Sequence, residues 1–123
     1  MTTEFLSFDQ QHTVDEVLHE LRLKKPEDAE LYNLFVTDEH EELVASFSLR
    51  DLVVSEPDAR IGQIMRPSPV HVYDDQKIDD IAEIISKYSL LAIPVVDSNN
   101  TLQGMVLIDD VVEDLINKRR TNK

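Results

Sequence analysis

The sequence predicts an α/β (α+β) fold made of two similar β-α-β-β-α halves. Short apolar runs rich in valine and isoleucine alternate with segments whose apolar residues recur at helical spacing. The helical segment that begins at Val14 matches the one that begins at Ile78, and the later strand-helix unit around Asp51 matches the one around Asp110. Two such halves, neither able to bury its apolar faces alone, are expected to pack through their sheets about a pseudo-twofold axis.

The first half contains a capping box, with Thr13 at the N-cap of a helix and Glu16 three residues later. That helix is expected to end before Pro26, because the residue preceding a proline disfavours the α conformation. Asp51 precedes a further short helix. Apolar runs bounded by polar turns predict strands over residues 4–8, 31–37 and 43–48.

The second half repeats this order. Ile78, Ile81 and Ile85 lie on one face of a predicted helix. The last apolar run ends abruptly at Asp109 and Asp110, and an aspartate between a strand and a helix is typical of an N-cap. The strands of this half are expected over residues 70–73, 91–96 and 102–108.

The seam between the halves is predicted near Pro67 and Pro69, which interrupt the helical pattern before them. The first repeat is therefore assigned to residues 1–66, with a connecting helix over 58–65. The second repeat is assigned to residues 67–123.

Composition excludes several classes of protein. The net charge of −13 makes nucleic acid and anionic membranes poor partners. No apolar run approaches the ~20 residues that span a bilayer, and no signal peptide opens the chain, so we expect a cytoplasmic module without direct membrane insertion. There is no cysteine, the four histidines lack zinc-ligand spacing, and two glycines cannot build a phosphate-wrapping loop. No nucleophile is paired with a base, so we expect no enzymatic activity.

The candidate ligand-binding residues lie at the two corners where a strand leads into a helix. The first amides of a helix are unpaired and favour anionic or hydroxyl-rich ligands, while a carboxylate beside them can accept hydrogen bonds from a ribose diol or bind a hard cation. The alternative is that each aspartate only caps its own helix. At the last corner the acidic residues suit Mg2+, and the alternative there is a solvated helix face. The candidate metal ligands are Asp109, Asp110, Glu113 and Asp114.

Residues 65–72 (MRPSPVHV) and 91–97 (LAIPVVD) resemble the entry and the central strand of a CBS domain, so the chain resembles a tandem CBS pair, or Bateman module. The family's ligand motif, Gly-h-h-Thr/Ser-x-x-Asp/Asn, is matched by Ser48 and Asp51 in the first copy and by Asp110 in the second. Ala45 replaces the glycine in the first copy and Leu107 replaces the hydroxyl in the second, which favours the first corner. The candidate nucleotide-binding residues are Ser48, Asp51, His71, Ile93, Pro94 and Asp110.

Within that family, residues 44–52 (VASFSLRDL) and 88–97 (YSLLAIPVVD) resemble the cytosolic CBS pair of MgtE-type magnesium transporters. The resemblance implies a non-catalytic regulatory module that forms a homodimer, is fused to or regulates a membrane transporter, and responds to Mg2+ at acidic surfaces. The alternatives are a module that senses ATP or AMP and a dimerisation module without a ligand.

Overall fold

The computed structural model describes residues 1–121, and the side chains of residues 1–117. Asn122 and Lys123, at the end of the predicted second repeat, lie outside the described residues. The strands are β1 (Ser7–Phe8), β2 (Leu34–Thr37), β3 (Leu43–Phe47), β4 (Arg66–Pro67), β5 (Val72–Tyr73), β6 (Ala92–Val96) and β7 (Leu102–Leu107). The helices are α1 (Val14–Lys24), α2 (Leu49–Val54), α3 (Ile61–Ile64), α4 (Ile78–Tyr88) and α5 (Ile108–Thr121).

The strands form two sheets with the same internal topology. In the first sheet, with the order β1-β2-β3-β4, β1 runs parallel to β2 and the other pairs are antiparallel. In the second, with the order β5-β6-β7, β5 runs parallel to β6 and β6 antiparallel to β7. The register agrees as well, because Phe8 opposite Val36 in one sheet corresponds to Val72 opposite Val95 in the other. The predicted fold class of two related halves is confirmed.

The two sheets meet at the tips of their hairpins and share a core. Glu42 and Thr101 form an antiparallel bridge between the two turns. Behind this bridge, apolar side chains from both sheets are buried together, namely Phe35, Leu43, Ala92, Val96, Leu102 and Met105. The halves therefore pack through their sheets, as the sequence predicted.

The helices cover the outer faces of the sheets. The capping box at Thr13 forms as predicted: the Glu16 amide donates to Thr13 Oγ1 at 3.1 Å, and the Thr13 amide donates to Glu16 Oε1 at 3.0 Å. Helix α1 buries Val14, Val17 and Leu21 against the first sheet. Helices α4 and α5 pack beside each other and bury a separate apolar cluster in the second half.

Several predicted boundaries shift. Leu31 belongs to a 3-10 turn over Asp28–Leu31, so β2 starts later than the apolar pattern suggested. Helix α2 begins at Leu49, with Ser48 as its N-cap, and Asp51 lies inside its first turn. Helix α5 begins at Ile108, so Asp109 and Asp110 are first-turn residues and the predicted N-cap role is wrong for both.

The connection between the halves is more structured than the prolines suggested. Helix α3 accounts for the second part of the predicted connecting helix. Strand β4 then pairs with β3, so it joins the first sheet while straddling the predicted division between residues 66 and 67. The division into repeats at that position stays a prediction. None of the helices within residues 1–121 is both long and apolar enough to cross a membrane.

Candidate functional site

A cleft of about 280 Å3 lies between the two halves at the strand-to-helix corner of the first copy. Strand β3, the start of α2 and strand β4 form one side, and residues 89–92 of the second copy form the other. The polar side chains of its lining supply hydroxyl, amide, carboxylate and guanidinium groups. They are Tyr32, Asn33, Ser46, Ser48, Asp51, Arg66 and Ser89.

Ser48 and Asp51 are joined in a second capping box at this corner. The Asp51 amide donates to Ser48 Oγ at 3.1 Å, and the Ser48 amide donates to Asp51 Oδ2 at 2.9 Å. Asp51 therefore stabilises the start of its own helix, as the alternative to ligand binding predicted. A carboxylate has about four acceptor positions, so these bonds leave capacity for a ligand that enters the cleft.

Arg66 brings a positive charge to the same corner. Its Nη2 donates to Asp51 Oδ1 at 3.2 Å, while its side chain stays 71% exposed, against 11% for the side chain of Asp51. The sequence does not predict a role for Arg66, because the residue comes next to Ser46 only through the antiparallel pairing of β4 with β3. Nothing in the local sequence around Arg66 signals that contact.

The charge state of Asp51 follows from these neighbours. Burial raises its pKa, but hydrogen bonds from Ser48 and the contact with the Arg66 guanidinium outweigh burial and leave the pKa below its ordinary value. Asp51 is thus held as an anion, and it is the one charged residue among the buried residues that the structure describes. An anionic carboxylate beside an exposed guanidinium can bind a ligand that has both hydroxyl and anionic groups.

The corner of the second copy lies in a different environment. Asp110 and Asp114 line a groove of about 210 Å3 together with Asp74 and Met1, over an apolar floor. Asp110 and Asp114 of α5 thus share one face, as their spacing of four residues predicted. Since neither is among the residues that line the first cleft, the structure does not bring Asp110 together with Ser48 and Asp51.

The other predicted nucleotide ligands are placed apart from the first cleft. Ile93 and Pro94 are buried within β6, and Ile93 is part of the core of the second half. The His71 ring lies edge-on to Tyr73, and its Nδ1 is 3.1 Å from the carbonyl oxygen of Pro69. None of these three side chains lines the cleft at Ser48 and Asp51.

The predicted metal ligands do not converge on one point within a chain. Asp109, Glu113 and Asp114 are exposed on α5, and Asp110 is half-buried. Among the side chains that the structure describes, those of residues 1–117, no three from histidine, aspartate or glutamate are placed to hold one metal ion. Their oxygen atoms suit the chemistry of Mg2+, but an ion here would retain most of its water or take ligands from a second molecule.

An apolar groove of about 460 Å3 runs between α4 and α5. Its lining includes Ile85, Ile108 and Val111, and also Val112 and Leu91, which are 49% and 55% exposed. Helix α2 also exposes apolar surface, with Val53 at 71% and Val54 at 63%. Surfaces of this kind favour association with another protein surface.

Comparison with known proteins agrees with this architecture. The family model of the CBS domain matches residues 61–117. The chain is 37% identical over 113 residues to the magnesium transporter MgtE of Thermus thermophilus and 38% identical over 115 residues to that of Enterococcus faecalis, in each case over 92% of this chain. It spans 25% of the length of each of these transporters.

Solved structures give the same result. The cytosolic domain of the Mg2+ channel MgtE in complex with ATP superposes with a TM-score of 0.88 at 37% identity, over 92% of this chain and 46% of that one. The soluble part of a magnesium transporter superposes with a TM-score of 0.90 at 32% identity, over 96% of this chain and 46% of that one. The CBS domains of a transcriptional regulator from Streptococcus pneumoniae superpose with a TM-score of 0.72 at 26% identity, over 90% and 87% of the two chains.

Proposed function

Since this chain belongs to the CBS-domain family, as a tandem pair similar to the cytosolic region of MgtE transporters, we propose that it is a non-catalytic regulatory module of a magnesium transporter. The observation that carries the proposal is the agreement with that region in both sequence and fold over 92% of the chain. The relatives are about four times longer than this chain, so the attachment to a transporter domain and the cytoplasmic location are parts of the proposal.

In this proposal Mg2+ acts on the acidic surface of α5. Asp109, Asp110, Glu113 and Asp114 carry four negative charges on two turns of one helix, and like charges this close repel one another. A divalent cation between two copies would relieve that repulsion and favour a closed arrangement of the homodimer. Binding to one arrangement shifts the population toward it by mass action.

The direct test is the melting temperature of the chain with and without millimolar Mg2+. We expect Mg2+ to raise it, and we expect the double variant Asp109→Asn with Asp110→Asn to lose the increase. A double variant that responds like the parent chain would remove this cluster from the proposal. A parent chain that responds to neither Mg2+ nor nucleotide would support the ligand-free dimerisation module instead.

A second function, binding of ATP or AMP, is favoured by the cleft at Ser48 and Asp51. Its groups match the parts of a nucleotide: Tyr32 offers a ring face, Asp51 offers acceptors for a ribose diol, and Arg66 offers donors for phosphate. The groove at Asp110 does not match a nucleotide in this way, since its lining has carboxylates but no arginine to donate to phosphate.

Calorimetry with ATP and AMP tests this second function. We expect Asp51→Ala to abolish binding. The two capping boxes supply a matched pair, because Ser48→Ala and Thr13→Ala should each cost about 1 kcal/mol of stability. Only Ser48 lines the cleft, so only Ser48→Ala should weaken nucleotide binding. If both variants lost the same affinity for nucleotide, the effect of Ser48→Ala would be explained by lower stability of the fold and not by a lost contact with the ligand.

A homodimer is the assembly we propose for either function. The apolar groove between α4 and α5 and the exposed valines of α2 supply surface for it. We also propose that each chain of the dimer consists of two repeats divided near residue 66, because each sheet packs with its own helices around an apolar cluster of its own, besides the core that the two sheets share.

A further inference from the structure

Asn33 lines the first cleft at the point where the ladder of β2 and β3 ends. Leu34 pairs with Phe47 in that ladder, so Asn33 and Ser48 are the next residues outward on the two segments, and both line the cleft. Asn33 is half-buried, and the neighbouring Tyr32, which also lines the cleft, is 40% exposed. An amide and an aromatic ring therefore stand side by side on one wall.

The side-chain amide of Asn33 has no hydrogen-bond partner among the residues that the structure describes. Ser48 and Asp51, in contrast, are bonded to each other, and Asp51 also accepts a hydrogen bond from Arg66. Asn100 uses its own amide to donate to a backbone carbonyl of the other half. The amide of Asn33 thus keeps its donors and its acceptor oxygen for a ligand.

The second half shows that the fold does not require an amide at this position. By the pseudo-twofold relation, the counterparts of Asn33 and Ser48 are Ala92 and Leu107, which pair across β6 and β7. Both of these apolar side chains pack in the core that the two sheets share. The same position accepts alanine, so packing does not explain the amide of Asn33.

The chemistry of an amide restricts the part of a nucleotide that can lie against it. A half-buried amide that loses water to a ligand destabilises the complex unless the ligand pairs with it. Its best partner has a donor and an acceptor side by side. A phosphate has acceptors alone, and the ribose diol is matched by the carboxylate of Asp51. The base is the part that remains for Asn33.

Adenine has the required pair of groups on one edge. Its N6 amino group donates beside the N7 acceptor, and asparagine binds this edge through two hydrogen bonds. The same edge of guanine has two acceptors, O6 and N7, which suit an arginine. Arg66 is the arginine that lines this cleft, and it is joined to Asp51.

We propose that Asn33 selects the base in the first cleft, by accepting from the N6 amino group of adenine and donating to N7. The role of Asn33 rests on the nucleotide function proposed for this cleft and adds base specificity to it. Tyr32 supplies a ring face for the same base, since aromatic side chains stack on bases of any identity. Selection therefore comes from the amide and not from the ring.

Calorimetry with three 5′-monophosphates tests this role. They are AMP, GMP and the monophosphate of purine riboside, which is adenosine without its amino group. We expect the parent chain to bind AMP about tenfold or more tightly than the other two, because each of them leaves a hydrogen bond of Asn33 unmade. We expect Asn33→Ala to bind AMP about tenfold more weakly and to bind all three with similar affinity.

Two controls separate this effect from others. Alanine is the residue of the second half at this position, so Asn33→Ala should fold, and its melting temperature without nucleotide checks that. Arg66→Gln changes the same cleft away from the base. It should weaken the binding of all three monophosphates by a similar factor and preserve the preference for AMP.

Each other outcome overturns a specific claim. Equal affinities of the parent chain for the three monophosphates, or a preference for AMP that persists in Asn33→Ala, would overturn the role of Asn33 and leave the nucleotide function intact. A preference that Arg66→Gln also removes would assign selection to the corner of Asp51 and overturn the role of Asn33. Absence of binding of all three to the parent chain would overturn the nucleotide function, and the role of Asn33 with it.

Discussion

The backbone amide of Leu43 donates to the carbonyl oxygen of Asn100 at 3.0 Å, from the hairpin of one half to the turn of the other. The pseudo-twofold counterpart runs from the Leu102 amide to the carbonyl oxygen of Glu41 at 3.1 Å. These reciprocal bonds join the two sheets at their tips, on either side of the bridge between Glu42 and Thr101. A ligand that alters the angle between the halves would have to act around this joint.

The joint is asymmetric in one respect that leads to a prediction. Glu41 and Asn100 both have a left-handed backbone, with φ of 63° and 66°. Asparagine tolerates that conformation better than glutamate, and Asn100 also donates from Nδ2 to the carbonyl oxygen of Leu43 at 3.0 Å. We expect Glu41→Asn to stabilise the fold by about 0.5–1 kcal/mol, measured by urea unfolding. The reverse change, Asn100→Glu, should destabilise it, and a destabilised Glu41→Asn would contradict the equivalence of the two turns.

The two glycines should differ in their tolerance of a methyl group. A Cβ at Gly104 would collide with the backbone carbonyl oxygen of Thr2, which cannot move without breaking the pairing with β7. We expect Gly104→Ala to cost about 1–3 kcal/mol. At Gly62 the nearest atom is the flexible Gln10 Oε1 at 3.2 Å, so Gly62→Ala should be close to neutral. Thermal unfolding of the two variants checks this, and equal losses would argue against the pairing of Thr2.

Asp51 should make stability depend on pH in the acid range. Its pKa in the folded state lies below the ordinary value of an aspartate, despite burial, because Ser48 and Arg66 favour the anion. Its contribution is therefore fully present above the unfolded pKa and is lost as the pH falls through the lower folded pKa. We expect the difference in unfolding free energy between the parent chain and Asp51→Asn to be constant near neutral pH and to shrink below about pH 4. A difference that stays constant down to pH 2 would contradict the charged state of Asp51.

Arg66 should select ligands by charge if the first cleft binds nucleotides. Its guanidinium is 71% exposed and can donate to a phosphate while remaining beside Asp51. We expect Arg66→Gln to weaken binding of AMP by about tenfold and to leave binding of adenosine unchanged, measured by calorimetry. Adenosine controls for any effect of the substitution on Asp51, and equal losses for both ligands would contradict a phosphate contact.

The sequence allowed the duplication and most elements to be predicted, because each half repeats its apolar spacing. The capping box at Thr13 was predicted from the glutamate three residues later. The capping box at Ser48 does not show the usual pattern, because its partner is an aspartate instead of a glutamate or glutamine. The sequence therefore predicts the start of α2 after Asp51, whereas the helix begins at Leu49. At the last corner the pattern predicts Asp109 or Asp110 as an N-cap, whereas helix α5 already begins at Ile108.

The parts of the site that the sequence did not reveal depend on pairing between distant segments. Arg66 reaches Asp51 because β4 adds to the edge of the first sheet, and Met1 reaches the groove at Asp110 because Thr2 adds to the edge of the second. A two-residue strand has no periodicity that could identify it. The prediction of Ile93 and Pro94 as ligands rests on the family's strand motif, because the two faces of a fully buried strand cannot be told apart in a continuous apolar run.

The central claim, that the module responds to Mg2+ through its acidic helix, is tested most directly by sedimentation of the parent chain across a range of Mg2+ concentrations at constant ionic strength. We predict a dimer whose dissociation constant falls about tenfold or more as Mg2+ rises to millimolar levels, with no such change for Asp109→Asn combined with Asp110→Asn. A dissociation constant that does not change with Mg2+ in the parent chain would contradict the account.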